Sequence, residues 1–329
     1  MVFKKMLGAF GVGGPSVDTV LNPPTTLPGH PLTGQVNLTG GSHDVDIEQI
    51  TLSLLTRVEV EGGDHEFGAA VEFHRVQVAG TTRLAEGQHT SIPFSVPLPW
   101  ETPITAVYGQ HLHGMTMGVR TEVSIAHAID KGDLDPVQVH PLPAQQAILD
   151  AFAQLGFRFK SADLEHGHIR GSQQTLPFYQ EIEFYAAAQY AHACTQVELT
   201  FVTSPHQVQV ILEVDKRGGL FTGGHDVYHT LHVPHAGFEH TNWAQHIDSW
   251  FQQAVLSHTG GHGYAPPQPA YGHGHHGHHG HHEGHHDSHG GHGMGAGAVV
   301  AGVGAGLVGG YLASEAIDEI FDDEGGDED

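Results

Sequence analysis

With 329 residues, 39% of them hydrophobic, the chain is long enough for two ordinary cores and apolar enough to fill them. Its 12 lysines and arginines stand against 37 aspartates and glutamates, a formal charge of −25 that repels phosphate backbones and excludes nucleic acid as a partner. Cys194 is the single cysteine, which excludes an internal disulfide framework and a cysteine zinc ribbon and fits a reducing, cytoplasmic setting.

The 45 glycines and 32 histidines are densest beyond Ser257, so the fold is read from the first part and the tail by itself. In residues 1–14, Phe3, Met6, Leu7 and Phe10 follow i, i+3, i+4, i+7, the spacing of a short amphipathic helix that Gly11 to Gly14 stops. Packing on the body is the expected role, with a weak membrane-surface helix, Lys4 and Lys5 toward anionic headgroups, as the alternative. The start lacks the long apolar centre of a secretion signal, and Val2 stands where myristoylation needs glycine, so neither export nor that anchor is expected.

Residues 15–141 read as β. Candidate strands run over 17–21, 32–39, 47–61, 67–79 and 91–98, separated by turn signals such as Asn22-Pro23-Pro24, Gly40-Gly41 and Gly62-Gly63. In QHTSIPFSVPLPWETP, Ile92, Phe94, Val96 and Leu98 share one parity and predict a half-buried strand. Pro93, Pro97 and Pro99 cannot donate ladder hydrogen bonds, which places that strand at a sheet edge, ending at Trp100. A further strand stretch over 113–129 carries Met117, Val119, Thr121, Val123, Ile125 and His127 on one face, and Asp133-Leu134-Asp135-Pro136 reads as the connector to 137–140.

Residues 142–257 predict a second β unit. A helix over 143–155 presents Ala147, Ile148, Ala151, Phe152 and Leu155 as a stripe, with Pro143 suited to its first turn. Strands are expected at 156–164, 174–186, 197–203, 207–215 and 226–233. Trp243, Ile247, Trp250, Phe251 and Ala254 then mark a closing helix. The fold class is therefore all-β, two consecutive sandwiches with short helices and a low-complexity tail.

Two consecutive sandwiches with IPFSVPLPWETP ending the first run resemble the arrestin fold. FKKMLGAFGVGGPSVDTVL, then LPGHPLTGQVNLTGGSHDVDIEQITLSLLTRVEVE, TLPFYQEIEF and DKRGG resemble the bacterial sporulation-control family, the stage-zero sporulation protein M group, over roughly residues 1–257. The resemblance implies a cytoplasmic regulator that influences sporulation or cell development through protein contacts, and it implies no catalytic residues.

The residues themselves offer no convincing enzyme. Gly8 to Gly14 and Gly302 to Gly310 lack the strand, helix and lysine context of a nucleotide loop. Cys194 has only His192 close in sequence and reads as buried packing. The pairs His111/His113, His166/His168 and His229/His232 read as solvated surface, because two imidazoles without a carboxylate or outer support make a poor metal site.

Residues 258–293 differ in kind. His273, His275, His276, His278, His279, His281, His282, His285 and His286 lie on a glycine chain that cannot build a core, a composition expected to be disordered and to bind nickel, zinc or copper weakly and without a designed geometry. No cofactor is expected to be required. In residues 294–329, Gly302, Gly306 and Gly310 repeat at i, i+4, i+8, a glycine-zipper face that suits helix association in a homo-oligomer or on a membrane, followed by an acidic end. The expected function is a non-enzymatic scaffold with protein partners of unknown identity. The alternative is a metal-binding or membrane-associated adaptor whose tail carries the function, through residues 1–10 or 294–313 at the membrane.

Overall fold

A computed structural model describes residues 13–62, 65–128, 130–216 and 229–259. The first fourteen residues' predicted helix lies almost wholly outside the described residues, and the histidine-rich and glycine-zipper segments lie outside them entirely.

The first lobe is two facing sheets. One is β1 (Ser16–Leu21), β3 (Pro31–Thr39) and β7 (His89–Pro97), antiparallel in the order β1-β3-β7. The other is built on β4 (Val45–Gly62), an 18-residue strand flanked by β5 (His65–Ala79) and β6 (Thr82–Leu84) on one edge and by β10 (Met117–Ile125) on the other, with β11 (Lys131–Pro136) beyond β10. Short pieces complete it: β2 (Thr25–Thr26) pairs with β12 (Gln138–Val139), and β8 (Ala106–Val107) with β9 (Gln110–His111).

Alternation explains the core between these sheets. Phe94, Val96, Val36, Leu38, Leu52, Leu54, Val119 and Val123 are all buried in it; on β7 the residues between them are exposed, whereas the central strand β4 is buried on both sides over residues 51–56. Thr121, on the inward parity of β10, is accommodated because its hydroxyl meets that of Thr19 across the sandwich at 2.6 Å. As the prolines require, β7 is a sheet edge, pairing only with β3 among the described residues, and it ends at Pro97, three residues before Trp100.

The second lobe is one antiparallel sheet in the order β13 (Arg158–His166), β14 (Phe178–Tyr185), β15 (Cys194–Thr203), β16 (Gln207–Lys216) and β17 (His229–Pro234). Two helices contribute to the layer on its inner side: α1 (Pro143–Leu155) packs on it through Phe152 against Phe184, and α2 (Trp243–Thr259) packs on α1 and adds Ile247, Phe251 and Ala254 to the same core. α1 starts with Pro143 in its first turn, and the Gln145 side chain accepts the Leu142 N–H at 2.8 Å. It stops at Gly156, whose φ of 89° is left-handed. Its Phe152, fully buried, meets Phe157 at 4.8 Å and Phe184 of β14 at 5.1 Å between ring centroids, and Phe251 of α2 closes the cluster against Phe157 and Tyr190.

The lobes share a backbone bond as well as a linker. Glu165 of β13 pairs in parallel with Glu59 of β4, so the second lobe's sheet continues the first lobe's larger one. The core is correspondingly continuous, running from Leu32 and Val36 through Ile148 and Phe152 to Phe251.

Candidate functional site

The outer face of the second sheet gathers a row of acidic side chains. Where Phe178, Gln180, Ile182 and Phe184 of β14 point inward, Tyr179, Glu181 and Glu183 point outward. The register then brings acids from four strands together: Asp163 lies opposite Glu181, and Glu183, Glu198 and Glu213 form a cross-strand row. Carboxylate oxygens of Asp163, Glu165 and Glu181 lie within 4.8 Å of one another, as do those of Glu181, Glu198 and Glu213.

Like charges directly opposite one another repel, and here they are also partly withdrawn from water. Burial, then the neighbouring Glu198, Asp163, Glu165 and Glu213, push Glu181 up to about 9. Burial, then Glu59, Glu183 and Glu165, push Asp163 up to about 7 against the opposing pull of Lys160. One oxygen of Asp163 is buried without a hydrogen-bond partner. Lys160 is the cation set among them, 2.5 Å from Glu183, and this contact raises its own pKa. Carboxyl groups held this way retain protons near neutrality, and the oxygen-rich, negative surface suits hard cations or basic side chains.

Beside this row the loop after β13 folds over the sheet, so that Ile169 packs with Val202 and Ile211 and against Tyr179. The same loop meets the first lobe. The Glu101 carboxylate accepts the Thr175 N–H, the Thr175 hydroxyl and the Leu176 N–H at 2.8–3.1 Å. Three residues after Glu101, Ile104 is held by the buried Gln180 side chain, which accepts the Ile104 N–H at 3.0 Å and donates to the Ile104 carbonyl at 2.7 Å. Trp100 stands between His30 of the first lobe and His235 of the second, at 6.3 and 5.5 Å between centroids. Gly29, at φ +72°, lies so close beneath it that a Cβ would fall 2.4 Å from the indole. The Tyr108 hydroxyl donates to Asp150 of α1, and burial with that carboxylate pushes Tyr108 up to about 12.

The residues singled out in the sequence fall elsewhere. His111, His113, His166 and His168 are exposed, and among the described residues the acid groupings that could hold an ion include no histidine. His229 is half-buried, which lowers its pKa, and His232 is exposed. Cys194 is fully buried and approaches the Tyr190 carbonyl at 3.9 Å. His273 to His286 and Gly302, Gly306 and Gly310 lie outside the described residues. The acidic row and Glu101 were not among the candidates. Their only sequence signal is the alternation of acids in FYQEIEFY and the single glutamate of WETP.

Comparison with known proteins gives this geometry a family. The model of the SpoOM protein family, Spo0M, matches residues 3–218. The chain belongs to the Spo0M family. The sporulation-control protein Spo0M of Bacillus subtilis (strain 168) is 33% identical over 216 residues, 65% of this chain and 81% of that protein. The crystal structure of Spo0M from Bacillus subtilis superposes with a TM-score of 0.65 at 29% identity, covering 74% of this chain and all of that one. The Spo0M match spans the first lobe, the Glu101 joint and the acidic row alike, since all of them lie within residues 3–218.

Proposed function

We propose that this protein is a non-enzymatic regulatory scaffold in sporulation or cell development, acting in the cytoplasm through protein contacts. Membership of the Spo0M family supports the regulatory setting, because the Bacillus subtilis relative is a sporulation-control protein. The observation that carries the mechanism is the acidic outer face of the second lobe, where Asp163, Glu165, Glu181, Glu198 and Glu213 converge from four strands. Carboxylates crowded closely enough to repel one another are relieved by a partner that brings lysine or arginine to them, so binding there gains electrostatically as well as sterically.

The test is crosslinking with mass spectrometry in the native cell, comparing the full chain, a chain ending at Ser257 and the Glu198→Gln/Glu213→Gln double variant. Protein partners are expected to crosslink to the body in the first two and to fall several-fold in the third. Partners confined to the tail, or none above background, overturn the reading.

A second reading rests on the histidines between His258 and His292: a metal-binding or membrane-associated oligomeric adaptor in which the tail carries the function. Calorimetry with nickel and zinc separates the two, since tail-borne binding disappears in the chain ending at Ser257. Undiminished binding there removes the tail as the site.

A further inference from the structure

The loop between β13 and β14 has the construction of a moving part. Gln174 holds it together from inside: its amide donates to the carbonyls of Gly167, Leu176 and Phe178 at 2.7, 2.8 and 3.1 Å, and its oxygen accepts the Ile169 N–H at 3.0 Å. The Ser172 hydroxyl adds a bond to the Ile169 carbonyl at 2.8 Å. A loop cross-braced by its own side chains keeps its shape when it is displaced.

Its attachments are of two kinds. On its own lobe, Ile169 covers Val202 and Ile211, which are 5% and 3% exposed, and the Gln173 N–H donates to Gln209 at 3.1 Å. Across the lobe boundary it is held by Glu101, whose bonds to exposed Thr175 and half-buried Leu176 are open to replacement by water. The neighbouring Gln180 bonds to Ile104 are buried and have no such substitute. The joint thus pairs a fixed pin with an accessible clasp, and the clasp grips the cover of the apolar end of the outer face.

We propose that residues 167–177 form a releasable strap clasped by Glu101 of the other lobe, so that displacement of the Trp100–Thr102 turn uncovers the Val202 and Ile211 patch while Gln180 keeps the lobes joined. The two lobes would then communicate without separating: what happens at the first decides what the second exposes. This inference stands apart from the scaffold reading, since it concerns the chain alone.

Thiol labelling tests it. Val202→Cys places a reporter beneath the strap, and native Cys194, fully buried, serves as the internal control for global opening. Maleimide labelling of V202C is expected to rise about tenfold when Glu101→Ala is added, and less with Glu101→Gln, which keeps an acceptor oxygen, while Cys194 stays protected in all three. Equal V202C labelling with Glu101, Gln and Ala overturns the proposal, and so does labelling of Cys194 rising in step. Hydrogen exchange on chains with native Val202 gives an independent reading. The Thr175 and Leu176 amides exchange faster in Glu101→Ala while Ile104 does not; acceleration of all three, or of none, overturns it equally.

Discussion

The two faces of the second sheet are made by the same strands from alternate residues, and they have been stabilised in opposite ways. The inner face gathers Phe184, Ile182, Val197 and Leu199 beneath two helices, a layer that is mainly apolar and aromatic and whose buried Gln180 is fully bonded to Ile104. The outer face gathers Asp163, Glu181, Glu198 and Glu213 with a single loop at one end and Lys160 among the acids. A stable lobe tolerates the second face because the first is so well filled. The contrast teaches that the strained surface is the one available for work.

The inner face should prove the more costly to disturb. Phe152→Ala removes a fully buried ring that touches both Phe157 and Phe184, and the loss is expected to be about 3–5 kcal/mol, read from the urea unfolding midpoint. A loss below about 1 kcal/mol would mean that the helices do not anchor the lobe.

On the outer face the sign reverses. Glu181 titrates near 9 in the folded chain against an ordinary 4.5, so across that interval the folded chain holds a proton that the unfolded chain has released. Stability therefore falls as pH rises from about 4.5 to 9. Glu181→Gln keeps the shape without the titration, and should raise stability at pH 8 by about 2 kcal/mol and flatten that decline. Unfolding curves taken at several pH values check this, and an unchanged slope would show that the acids do not crowd one another. A smaller effect comes from Lys160. Lys160→Met should lose about 0.5–1 kcal/mol. It should also drive Asp163 higher still, visible in the NMR titration of its carboxyl carbon, because Lys160 is the group that opposes the rise.

Much of the scaffold was legible in the sequence because its cues are local. α1 runs from Pro143 to Leu155 as its stripe predicts, since proline opens and glycine closes it within the chain's own grammar. The proline-marked strand sits at an edge for the reason its imino acids give. β11 differs from the connector that its sequence predicts: KGDLDP has two acids and a proline, and it becomes a strand because β10 pairs with it and Asp133 accepts the Thr19 N–H at 2.6 Å. The strand read from His113 begins at Met117, because Gly114 turns the chain at φ +94°, with its backbone against the Ala162 carbonyl.

The site was far less legible. Alternating acids in FYQEIEFY announce a polar face, but whether Glu198 and Glu213 fall beside them depends on register between strands, which no single strand encodes. Glu101 meets Thr175 across 74 positions, and nothing near WETP indicates a partner so remote. The histidines, by contrast, were conspicuous by number, and those in the described lobes are dispersed rather than convergent.

The outermost strand of the first sheet has a further implication for how this molecule behaves in crowded solution. Pro93 and Pro97 leave gaps in the row of donors that β7 would otherwise offer to a second copy. Growth of stacked fibres along that margin is therefore checked chemically, and assemblies of the chain must be built through other surfaces.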